Sequence, residues 1–146
     1  MNQAIDSITL LVREYDEAIA YYRDCLGFKL LEDTHLGADK RWVLIAPPGG
    51  GTALLLARAA NERQAARVGD QTGGRVFLFL RTDDFQRDYD SMKSRGVKFA
   101  EFPRQESYGM VAVFTDLYGN KWDFVQHTAP TSKKDGATPD NHSSRE

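Results

Sequence analysis

Apolar and polar residues change their period several times along this chain, and each change marks an element. Residues 5–12 form a run that is apolar or β-branched except for Asp6 and Ser7. Ile8, Leu10 and Val12 share one side of it and Ser7, Thr9 and Leu11 the other, which predicts a strand buried on at least one face. Tyr15, Ile19, Tyr22 and Leu26 then recur at helical spacing, with Asp16 as the expected N-cap and Gly27 where a helix commonly stops. Strands are predicted over 28–33, 41–46 and 52–57, separated by a loop over 35–39 that holds His35 and by the turn Pro47-Pro48-Gly49-Gly50-Gly51.

The same order then returns. A polar, alanine-rich connector over 59–74 suits a short helix and ends in Thr72-Gly73-Gly74. Beyond it come a strand over 75–80, a helix with Phe85, Tyr89 and Met92 on one face and Asp83 or Asp84 as cap, and strands over 98–102, 110–115 and 121–126. The last two are joined by the tight turn Asp116-Leu117-Tyr118-Gly119-Asn120. The junction Leu26-Gly27-Phe28-Lys29 of the first half is echoed by Arg95-Gly96-Val97-Lys98 in the second, as expected of one supersecondary unit used twice. The expected organisation is an α+β domain over 1–127, with a β-α-β-β-β module over 3–58, the connector, and a second module over 75–127. Residues 128–146 lack aromatic residues and are rich in Ser, Thr, Lys and Asp, which predicts a flexible tail.

Composition narrows the function classes. With 146 residues, 41% of them hydrophobic, the chain can bury a core without staples, and its single cysteine, Cys25, excludes an intramolecular disulfide. Cys25 is expected to be a small buried side chain. No basic segment followed by an apolar run opens the chain, so a cytoplasmic location is expected. The longest apolar runs fall far short of the roughly 20 residues of a membrane helix. Lys plus Arg (19) nearly balance Asp plus Glu (21) with no basic block, which argues against a nucleic-acid partner and for a small-molecule ligand.

Two segments in this duplicated frame carry a resemblance. Ala18-Ile19-Ala20-Tyr21-Tyr22-Arg23-Asp24-Cys25-Leu26-Gly27-Phe28 and Asp116-Leu117-Tyr118-Gly119-Asn120-Lys121-Trp122-Asp123-Phe124, with the opening strand, resemble the vicinal oxygen chelate superfamily. That group contains glyoxalase I, the extradiol dioxygenases and the bleomycin-resistance proteins. The resemblance implies tandem βαβββ modules whose curved mixed sheets form a cup, a homodimer, and a ligand or metal in the cup. It also implies one metal ligand from the first strand and one from the last strand of each module. The matching positions are Ser7, Arg75, Leu54 or Leu56, and Asp123, of which only Asp123 is a competent ligand. A permanent cation at Arg75 opposes a metal ion, so no metal site of the family type and no cofactor are expected.

The remaining candidates each have a functional and a bland reading. Arg75, ahead of an apolar run, either enters the cavity to meet Asp123 or a ligand anion, or escapes to solvent. Trp42, Phe77 and Tyr108 are either a ligand platform or core filling, and Phe79 belongs with them as a filler. Glu106, placed in a loop over 104–109, and Asp123 are the candidates for general acid or base work, though a surface glutamate is more often simply solvated. Ser7 and Thr9 are expected to line the cavity without nucleophilic activation. His35, His127 and His142 share no strand register, and a metal site of His35, Glu106 and Asp123 has no spacing behind it. Three functions stay open: a metal-free binding protein, an enzyme of lyase, isomerase or dioxygenase-like type, and a domain whose cup is filled by its own side chains.

Overall fold

In the computed structural model, which describes residues 1–128, the first apolar run becomes strand β1 (Ser7–Val12), followed by helix α1 (Tyr15–Asp24). Strands β2 (Lys29–His35), β3 (Arg41–Ala46) and β4 (Ala53–Arg58) complete the module, and the connector carries the short helix α2 (Glu62–Ala65). The sheet order is β1-β4-β3-β2, with β1 parallel to β4 and the other pairs antiparallel. The chain divides after Gln71 into two compact units.

The second unit repeats the plan with β5 (Val76–Arg81), α3 (Phe85–Ser94), β6 (Lys98–Phe99), β7 (Arg104–Glu106), β8 (Gly109–Thr115) and β9 (Lys121–His127). Its order is β5-β9-β8-β6, with β7 also paired to β8 and β5 parallel to β9. The fold is α+β, and no helix among the described residues is long and apolar enough to cross a membrane. The expected tail lies outside the described residues except for Thr128, whose N–H donates to the Tyr108 carbonyl at 2.8 Å.

Each sheet buries one face under its helix. In the first unit Leu10, Val12, Val43, Ile45, Leu54 and Leu56 are buried with Tyr15, Ala18, Ile19 and Tyr22 of α1. In the second, Phe85 and Tyr89 of α3 pack on Phe124 and Phe99 at centroid distances of 5.1 and 4.5 Å. Burying such apolar side chains contributes about 1.5–3 kcal/mol each. Strand alternation therefore leaves each sheet a second face turned away from its helix.

Several local expectations change. Strand β2 runs on through His35, because pairing with Arg41 continues to the turn closed by Leu36 N–H to Lys40 O at 2.8 Å. As an edge strand it is exposed along its whole length and carries no burial period to read. The strand expected over 98–102 stops at Phe99, and 104–106 is a strand rather than a loop. Glu106 pairs with Gly109 across the two-residue turn Ser107-Tyr108. Asp16 does not cap α1. Glu14 occupies that position without a side-chain bond, and the Asp16 carboxylate accepts from Arg41 at 2.8 Å. Asp84 caps α3, accepting from the Arg87 N–H at 3.2 Å. Cys25 is half-buried at the C-terminus of α1, not enclosed in the core.

Candidate functional site

The helix-free face of the second unit is built from alternate residues of β5, β8 and β9. Val111 faces Val125 and Val113 faces Asp123 across β8 and β9, while Phe79 of β5 is the parallel partner of Asp123. A register shift between Val76 and Leu78 sets this arrangement. Without it Leu78 would meet Asp123; with it Phe79 stands there, while Phe77 lies edge-on to Trp122 at 6.0 Å, within the aromatic group that includes Phe114. Phe79 is 49% exposed and Asp123 has no exposed surface, an inversion of the usual placement of a phenyl ring and a carboxylate. Tyr108 is buried against Val111 and Val125 on the same face.

Strand β7 flanks that face with charge. Arg104 bonds the carboxylate of Glu106 and that of Glu101, the latter at 3.0 Å. Burial works against the Arg104 charge, but hydrogen bonds and proximity to the two carboxylates outweigh it and hold the guanidinium above its ordinary value. Sequence reading missed Arg104, because Arg104-Gln105-Glu106 is polar throughout and resembles a loop. Asp116, the other buried acid nearby, is structural. Its carboxylate accepts from the N–H groups of Tyr118, Gly119 and Asn120 and from Asn120 Nδ2 and Trp122 Nε1, all at 3.0–3.2 Å.

The helix-free face of the first unit carries Ser7, Thr9 and Leu11 of β1, opposite Ala53, Leu55 and Ala57 of β4, with Leu44 and Trp42 beyond. Trp42 is 38% exposed and so is not core filling. Gln71, a residue the sequence did not single out, clamps the edge of β1: its Nε2 donates to Thr9 O at 2.6 Å and its Oε1 accepts from the Leu11 N–H at 3.1 Å. No local pattern around Gln71 signals this, since the contact spans most of the module.

The positions implied for metal ligands do not fit a cation. Leu54 and Leu56 are buried on the α1 side of their sheet, Ser7 offers one hydroxyl, and Arg75 is exposed just ahead of β5. Among the described residues no three of His, Cys, Asp and Glu gather as a metal-binding group, and His35, Glu106 and Asp123 do not form one.

These features agree with the comparisons. The model of the Glyoxalase/Bleomycin resistance protein/Dioxygenase superfamily matches residues 4–124. An uncharacterised protein of Shewanella frigidimarina is 55% identical over 128 residues, covering 86% of this chain and 95% of its own. Among solved structures, TnmS3, an antibiotic binding protein from Streptomyces sp. CB03234, is 28% identical with a TM-score of 0.70, over 87% of this chain and 98% of its own. A glyoxalase/bleomycin resistance protein from the same organism is 29% identical with a TM-score of 0.66, over 84% of this chain and all of its own (100%). With a βαβββ unit followed by a second that repeats its plan with one added short strand, and a family match spanning nearly all of both, the chain belongs to the glyoxalase/bleomycin resistance protein/dioxygenase superfamily.

Proposed function

We propose that this protein binds a small organic molecule on a helix-free sheet face, without the metal ion of the family's enzymes. The observation that carries the reading is the lining of the two helix-free faces. Aromatic and aliphatic side chains, including the part-exposed Phe79 and Trp42, occupy them, and of the positions implied for metal ligands only Asp123 carries a carboxylate, the others holding Ser7, a leucine and Arg75. The antibiotic-binding relative at 28% identity supports the same class of ligand. Ser7, Thr9 and Trp42 are the proposed lining residues on the face of the first unit, and Tyr108 and Asp123, with Phe79 added, those on the face of the second. A homodimer and a cytoplasmic location accompany the reading. Catalysis by Glu106 is less well supported, because Arg104 already engages its carboxylate.

Thermal-shift screening of chelator-treated protein against small aromatic, peptide-like and antibiotic compounds tests this. A ligand at 100 times its Kd stabilises the native state by about 2.7 kcal/mol. Binding that survives chelation supports the reading. A near-stoichiometric transition metal in purified protein, with binding lost on its removal, overturns it.

A further inference from the structure

Strand β2 carries a bulge between Leu30 and Glu32, and the bulge decides which acid faces which way. Before it, Leu30 pairs with Ile45, whose side chain is buried on the α1 side. In regular alternation Leu31 and Asp33 would then share the helix-free face. The extra residue instead sets Glu32 opposite Leu44 and Thr34 opposite Trp42, on the helix-free face, and turns Asp33 toward α1. There Asp33 accepts from Arg41 at 2.6 and 3.1 Å, and Arg41 also reaches Asp16 and stacks over the Tyr15 ring at 5.1 Å. The Arg41 guanidinium is thereby committed to Asp33 and Asp16 on the opposite face.

On the helix-free face Thr34 Oγ1 donates to Glu32 Oε2 at 3.1 Å, and Thr34 is the register partner of the part-exposed Trp42, which makes Glu32 its diagonal neighbour. Diagonal neighbours on adjacent strands lie about 7–8 Å apart, room for one ammonium group between an acid and a ring. An indole face attracts a cation through its quadrupole, and a carboxylate adds its charge. Within the paired residues of β2 and β3, Lys29 shares this facing but is opposite Ala46 at the far end of the hairpin, and His35 pairs with Arg41 on the α1 side.

Resting on the binding function proposed above, we propose that Glu32, Thr34 and Trp42 form a recognition element for an organic cation, so that the ligand joins an apolar body to an ammonium or similar group. The apolar body lies on Leu44 and Leu55, which neighbour Trp42 on that face.

The test uses benzyltrimethylammonium and its uncharged isostere neopentylbenzene, with binding to full-length protein followed by tryptophan fluorescence and by thermal shift. Trp122 is buried, so the fluorescence change reports Trp42. The cation is expected to bind at least about fivefold more tightly than the isostere. Glu32→Gln is expected to remove that preference while leaving the isostere's affinity unchanged. Trp42→Leu is expected to weaken both probes. Thr34→Val, which frees the Glu32 carboxylate to move, is expected to reduce the preference in part. Equal binding of the two probes, or an unchanged preference in Glu32→Gln, overturns the recognition element alone. No binding of either probe, together with no hit in the wider ligand screen, overturns the binding function with it.

Discussion

The guanidinium of Arg104 holds the carboxylate of Glu106 on one side and that of Glu101 on the other, so a residue placed by sequence in a flexible loop is a tied member of strand β7. Arg104→Ala removes the cation between two acids that are each only about one-third exposed. The expected loss is about 1 kcal/mol in urea denaturation, with part of it restored by Glu101→Gln in the same background. An unchanged midpoint would mean that the cluster contributes nothing to holding β7.

Asp116 is expected to be among the most sensitive surface-turn positions in the chain. Asp116→Ala leaves Trp122 Nε1, Asn120 Nδ2 and the turn N–H groups without their acceptor in a buried setting. The expected cost is about 2–3 kcal/mol by denaturant unfolding. Asp116→Asn retains one acceptor oxygen and is expected to cost less.

Gly109 opens β8 with φ of 148°, and a Cβ there would lie 2.0 Å from the backbone oxygen of Gln126. Neither partner is a flexible side chain, so Gly109→Ala must push β8 and β9 apart. A loss of about 3 kcal/mol is expected, read as a fall in Tm. Gly37→Ala, where nothing lies within 4 Å, serves as the neutral control.

Acid stability follows from two held carboxylates. Hydrogen bonding to Arg41, opposed by burial and helped by its charge, lowers Asp33 below its ordinary value of 3.8, and hydrogen bonding to Arg87 does the same for Asp88. A folded-state value below the unfolded one means that the stabilisation is present above about 3.8 and is lost as pH falls through the lower folded values. Asp33→Asn is therefore expected to lower stability at pH 7 and to flatten its decline below pH 4. Equal slopes for the variant and the native protein would refute the assignment.

Much of the fold is legible in the residue pattern. Ile8, Leu10 and Val12 against Ser7, Thr9 and Leu11 fix the two faces of β1, and Tyr15, Ile19 and Tyr22 fix the buried side of α1, because burial imposes its period on any element with one dry face. The duplication and the superfamily were readable at this level. Tertiary structure decided what has no local period. Strand β2 is exposed throughout and is defined only by its partner β3, and β7 is defined only by pairing with β8. The side chains that matter to the site were reassigned in the same way. A one-residue bulge in β2 exchanges the facings of Glu32 and Asp33, and a register shift in β5 brings Phe79, in place of Leu78, beside Asp123. A strand's side chains alternate with a period of two, so one added residue inverts every facing after it, and only the pairing with a neighbouring strand records where that residue sits.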